Sequence, residues 1–127
     1  MDPPRRRRSL LALPAVAYAA LIVFVSTRPG GDIPSTGIAG GDKGLHVLEY
    51  FVLGALLLLP VRGLGWRGRL AALAVGIAFA AFDESLQTAI PGRFGDAADL
   101  AMDVVGLLAA VELDLAAKLA RRPARVS

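Results

Sequence analysis

AVGIAFAAFDESLQTAIPGR, residues 74–93, runs from an apolar stretch straight into two adjacent acids, Asp83 and Glu84, and stops at a Pro-Gly turn. With Leu70 to Leu73 ahead of it, the apolar part makes a segment about 20 residues long, enough to cross a bilayer as a helix. Carboxylates on such a segment are costly to desolvate, and no purely structural role for an adjacent pair offsets that cost. Asp83 and Glu84 therefore mark a functional position.

The rest of the chain repeats the pattern. Apolar segments run from about Leu10 to Ser26, Gly44 to Val61, Leu70 to Ile90 and Leu100 to Ala120. A 127-residue chain that is 55% hydrophobic has more apolar surface than one soluble domain of that size can bury. The fold class expected is all-α: an integral membrane four-helix bundle, a single domain over residues 1–127 with spans at about 10–26, 44–61, 70–90 and 100–120. A Gly/Pro-rich loop (RPGGDIPSTGIAGG, 28–41), a basic loop (62–69) and the Pro91–Gly92 turn connect them. No internal repeat and no linker to a second domain is visible.

Basic residues orient the bundle, because cytoplasmic flanks carry an excess of Lys and Arg. The run Arg5 to Arg8, the loop with Arg62, Arg67 and Arg69, and the tail with Lys118, Arg121, Arg122 and Arg125 all fall on one side of a four-span topology. The other two loops hold only Arg28, Lys43 and Arg93. Both termini are expected in the cytoplasm, in a multi-pass protein of the cell inner membrane. The net charge of +3 then reflects topology and anionic lipid rather than nucleic-acid binding. A basic start, an apolar run and Ala-Tyr-Ala at 17–19 also fit a cleaved signal peptide, but the apolar run continues through Leu21 to Phe24, which favours a retained span. Without cysteine, disulfides, thiolate metal sites and thiol nucleophiles are excluded.

This topology brings three polar clusters to the outer face. DKGLHVLEY (42–50) opens the second span, DESLQTAIPGR (83–93) closes the third, and DAADLAMD (96–103) opens the fourth. In the first, Asp42, Lys43, His46, Glu49 and Tyr50 recur at helical spacing along one stripe. Asp83 and Gln87 share a face with Glu84 beside them, Asp99 and Asp103 lie one turn apart, and Arg93 sits between. Carboxylates outnumber cations here. Such a site must protonate some acids, bind a metal or cationic ligand, or admit water.

Plainer readings stand beside these. Asp42 or Asp99 fits a helix cap, His46 a hydrogen-bonded interior residue, Tyr50 a packing aromatic, and Arg93 a surface anchor. Arg93 also suits a carboxylate or phosphate. Glu112 and Asp114, near the inner end, suit Lys118 or water. Gly54, Gly76 with Ala80, and Gly106 with Ala109 and Ala110 allow close helix packing in lipid.

Taken in order, the clusters resemble the VanZ-like family of small bacterial integral membrane proteins. The family pattern of Asp-Lys-x-x-His-x-x-x-Tyr, Asp-Glu-x-x-Gln, Pro-Gly-Arg and Asp-x-x-x-Asn-x-x-Gly is met by Asp42, Lys43, His46 and Tyr50, by Asp83, Glu84 and Gln87, by Pro91, Gly92 and Arg93, and by Asp99 and Gly106. Asp103 stands where the family usually has Asn, adding a carboxylate to an acidic site. The resemblance covers about residues 40–110. It implies a cell-envelope role, the founding member being associated with resistance to the glycopeptide antibiotic teicoplanin, and it supplies no reaction.

Two functions are open on the residues. One is binding or modulation of an envelope lipid or lipid-linked cell-wall precursor, with Arg93 and Lys43 holding an anionic group. The other is an intramembrane metal- or acid/base-dependent hydrolase or transferase, with His46 or Glu84 moving a proton and Asp83, Asp99 and Asp103 positioning a metal or the base. A lone His would leave metal ligation to carboxylates, which suits a divalent cation such as Mg²⁺ rather than zinc. A proton or ion pathway is disfavoured, because no charged ladder reaches the inner side.

Overall fold

The computed structural model describes residues 3–29 and 41–124, and it is all-α. Four helices follow one another: α1 (Pro3–Ser26), α2 (Gly41–Leu58), α3 (Gly65–Thr88) and α4 (Ala97–Ala120). They correspond to the four expected segments, with starts earlier than hydropathy alone suggests. Polar first turns belong to the helices as much as the apolar runs do. Arg67 and Arg69 accordingly lie on α3 rather than in a loop. Residues 30–40 of the Gly/Pro-rich stretch, and Arg125, lie outside the described residues.

Two helices, Pro4–Ser26 and Gly65–Thr88, are long and apolar enough to cross a membrane. In the other two segments expected to span, the charges leave no 18-residue stretch with two or fewer of them: Asp42, Lys43 and Glu49 in α2, and Asp99, Asp103, Glu112, Asp114 and Lys118 in α4. Large apolar side chains are exposed on every helix, among them Leu13, Phe24, Leu48, Phe82 and Leu113.

The closest helix pair is α2 with α4, which run parallel, while α3 crosses both and α1 packs on α2 and α3. Small residues set this register. A Cβ on Gly106 would collide with the backbone of α2 at the Val47 carbonyl and would lie 2.8 Å from the Phe51 nitrogen. One on Gly54 would lie 2.9 Å from Ala110 Cβ, and one on Gly76 would press into the methyls of Leu107. The helices therefore approach nearly backbone to backbone, as small residues permit. Around these crossings Ile22, Tyr50, Leu53, Ala80 and Leu107 form the core, with the Tyr50 ring 6.3 Å from that of Phe79.

The turn after α3 follows from its sequence. Proline fixes the first central position of a β-turn and glycine takes the positive φ at the second. Gly92 has φ 75°, and the Arg93 N–H donates to the Ile90 carbonyl at 3.1 Å. Asp96 then caps α4 by accepting from the Ala98 N–H at 2.8 Å. This short link returns the chain to the end of the bundle where α1 and α3 finish and α2 and α4 begin.

Candidate functional site

At that end the three clusters meet in two linked groups. The first lies between α2 and α4. Because Gly106 holds the helices close, the residues one and two turns earlier face each other. His46 Nδ1 lies 2.7 Å from Asp103 Oδ1, and Nε2 lies 3.7 Å from Asp99 Oδ2. One turn further out, the Lys43 ammonium donates to Asp99 and, at 2.9 Å, to Asp96. Asp103 is only 1% exposed, so its pairing with His46 is its main compensation for burial.

The second group gathers on Asp83, which is 2% exposed. Its Oδ2 accepts from the Ser26 hydroxyl at 2.9 Å and from Gln87 Nε2 at 3.2 Å, and the Tyr50 hydroxyl lies 3.5 Å away, at the limit of a hydrogen bond. Its other oxygen, Oδ1, is buried without a partner. Glu84, one residue on, ties the groups together. One carboxylate oxygen accepts from the Asp96 backbone N–H, while Oε2 is buried and unpartnered. Gly95 allows this approach, since a Cβ there would press on Thr88 and reach 3.4 Å from Glu84.

Charge is distributed unevenly in consequence. Ahead of the apolar part of α2, hydrogen bonds to Asp99 and Asp96 raise the Lys43 ammonium above its ordinary pKa, and Lys43 in turn holds Asp96, together with the Ala98 N–H, below the usual carboxylate range. Lys43 is thus committed to the carboxylates Asp96 and Asp99 at the start of α4. Arg93, half-buried at the rim, makes no ion pair among the described residues.

The sequence expectations fare unequally. Lys43, His46, Asp83, Glu84, Gln87, Asp99 and Asp103 come together, with Tyr50 beneath them as a buried packing aromatic. Glu49 is half-buried beside them, whereas Asp42 is exposed in the first turn of α2, outside the buried set. Asp96, not Asp99, caps α4, because the helix begins three residues earlier than its apolar run. Asp114 pairs with Arg69 of α3 at 2.8 Å instead of Lys118, a contact across helices that spacing along α4 cannot reveal.

One member, Ser26, was missed, and Asp96, counted among the cluster carboxylates, was not assigned to the site. Ser26 is 4% exposed, and the only sequence signal for it was a lone hydroxyl residue closing the first apolar run. Asp96 was visible in DAADLAMD but lies beyond the apolar segment. Among the described residues, no three His, Asp or Glu side chains converge on one point that could hold a metal ion.

No curated protein and no solved structure matches the chain significantly. A family model does: that of VanZ/LLP1 matches residues 7–117, which span the four helices but for their outermost turns and include every residue of the polar end. The chain therefore belongs to the VanZ/LLP1 family.

Proposed function

We propose that this chain is a four-span protein of the bacterial inner membrane, with both termini in the cytoplasm, whose acid-rich end lies at the extracytoplasmic face and holds the headgroup of an envelope lipid or lipid-linked ligand. The arginine-rich flanks, the two helices of spanning length and the exposed apolar side chains support the membrane part. One observation carries the ligand part: Asp83 Oδ1 and Glu84 Oε2, buried on adjacent residues, accept from no donor among the described residues.

A buried acceptor left unmet costs about 1–3 kcal/mol, so these two oxygens call for donors from outside the fold. Hydroxyl or amino groups of a headgroup are such donors, and water serves when the headgroup is absent. Arg93 is the guanidinium left to take the phosphate that joins a headgroup to its lipid. Lys43, bound to two carboxylates, is not available for that role. A lipid-linked cell-wall precursor is the narrower form of this reading, and a link to glycopeptide resistance would follow from that form alone.

The enzymatic reading rests on His46. An imidazole held by Asp103 resembles an oriented general base. Yet both of its nitrogens face carboxylates rather than open space, which favours binding over proton transfer to a substrate.

Lipids retained by the purified protein, identified by native mass spectrometry in parallel with Asp83→Asn/Glu84→Gln, test the proposal. It expects one lipid class enriched over the bulk membrane and lost from the folded variant. Equal retention by both proteins would remove the site, and conversion of that lipid by the wild type alone would shift the reading to catalysis.

A further inference from the structure

The opposite end of the bundle carries a second, chemically inverse feature. A groove of about 390 Å³ opens between the α2–α3 turn and the last turns of α4. Four cations line it, Arg62, Arg69, Lys118 and Arg121, against a single carboxylate, Asp114. That carboxylate is already taken: Arg69 Nη2 holds it at 2.8 Å. The Arg69 side chain is 16% exposed, and its buried Nε has no partner among the described residues.

The backbone adds to the same polarity. Gly63 and Gly65, at φ 91° and 61°, turn the chain through conformations that other residues rarely adopt, and α3 starts there with no side-chain cap. The first N–H groups of α3 are therefore not met by a capping side chain at the groove's edge, where the helix dipole favours an anion. Gly68 fixes the arrangement, since a Cβ on it would lie 2.6 Å from the Val61 carbonyl. The turn is packed directly on α3, which fixes the backbone at Arg62 relative to that at Arg69. Leu58, Val61 and Ala117 supply an apolar wall beside the charges.

We propose that this groove is a binding site for a phosphate-bearing group, held by Arg62, Arg69, Lys118 and Arg121. Its chemistry is that of a phosphodiester or phosphate monoester: bidentate guanidinium donors, an added ammonium and free helix N–H groups around one anion. The source is an anionic phospholipid of the adjoining leaflet or a soluble phosphate. The site does not depend on the headgroup reading of the other end.

The full chain in phosphatidylcholine nanodiscs provides the test. Trp66, the sole tryptophan, lies next to Gly65 of the groove, and its emission reports occupancy, with ³¹P linewidth as an independent readout. One arm titrates inorganic phosphate; the other raises the phosphatidylglycerol content of the disc. Saturable response to phosphate identifies a soluble ligand, and saturable response to phosphatidylglycerol alone identifies a headgroup. Either supports the site if Lys118→Gln/Arg121→Gln weakens it by about fivefold per charge removed. These two positions are exposed, so the variant is expected to fold. Arg6→Gln/Arg8→Gln, which removes the same charge outside the groove, is expected to change nothing. The proposal is overturned if neither probe saturates, or if the two double variants weaken binding alike.

Discussion

Gly106→Ala is the substitution that most sharply tests how the polar end is assembled. The added methyl would meet the Val47 carbonyl oxygen and carbon and the Phe51 nitrogen, all backbone of α2, which cannot rotate aside. Bringing the Phe51 contact from 2.8 Å to an ordinary 3.4 Å parts the helices by roughly 0.6 Å. The same separation would stretch the His46–Asp103 pair from 2.7 Å to about 3.3 Å, a weak, long hydrogen bond. Overpacking costs about 1–3 kcal/mol and the weakened bond about 0.5–1.5 more, so a destabilisation of roughly 2–4 kcal/mol is expected. Gly54→Ala meets mainly the Ala110 methyl at 2.9 Å and should cost about 1–2 kcal/mol, recoverable with Ala110→Gly. Gly76→Ala presses only on the rotatable methyls of Leu107 and should cost about 1 kcal/mol. Equilibrium unfolding in mixed micelles gives the order, and ¹⁵N imidazole spectra of His46, the sole histidine, report the pair. Near-wild-type stability for Gly106→Ala with unchanged imidazole resonances would refute the register argument.

Asp103→Asn, which restores the residue usual in the family pattern, keeps a carbonyl acceptor for His46; it should fold within about 1 kcal/mol of wild type, whereas Asp103→Leu should lose about 1–3 kcal/mol in the same unfolding assay. Ser26→Ala removes a 2.9 Å donor from Asp83 and should cost about 1–2 kcal/mol, while Tyr50→Phe, removing a hydroxyl 3.5 Å away, should cost under about 0.5 kcal/mol. Lys43 holds Asp96 below its ordinary carboxylate value of 3.8, so the stability Asp96 contributes is complete above that pH and is lost as pH falls through the lowered folded value. Lys43→Met should raise the Asp96 titration toward the ordinary value by ¹³C carboxyl NMR, short of it because the Ala98 N–H still donates to Asp96. For Lys43 itself the sign reverses: its contribution is complete below pH 10.5 and is lost as pH rises through its raised value.

The four helices and the meeting of the polar clusters were legible in the sequence, because apolar run lengths and the alternation of direction determine which ends coincide. Pairing of Asp83 with Gln87 followed from helical spacing alone. Contacts between helices did not. Asp114 could be matched along α4 only with Lys118, while its partner Arg69 comes from α3 at a register set by Gly76 against Leu107. Ser26 went unnoticed because a single hydroxyl at the end of an apolar run carries no charge signal, yet burial makes it a main donor to Asp83. Asp42 fails for the opposite reason: it shares a spacing with His46 and Glu49 but sits in an exposed first turn. The commitment of Lys43 to two carboxylates across the helix pair could not be read from spacing along either segment.

The most direct test of the outward-facing headgroup site is photo-crosslinking from position 94 in intact membranes. Phe94 is 86% exposed beside Arg93, so a photoreactive residue there should leave the fold unchanged. Leu64, in the α2–α3 turn at the other end, is the control. The account predicts that position 94 captures one lipid class with an extracytoplasmic headgroup, that position 64 does not, and that Glu84→Gln abolishes the capture. Adducts at position 94 that mirror the bulk lipid composition, or that match those at position 64, would contradict it.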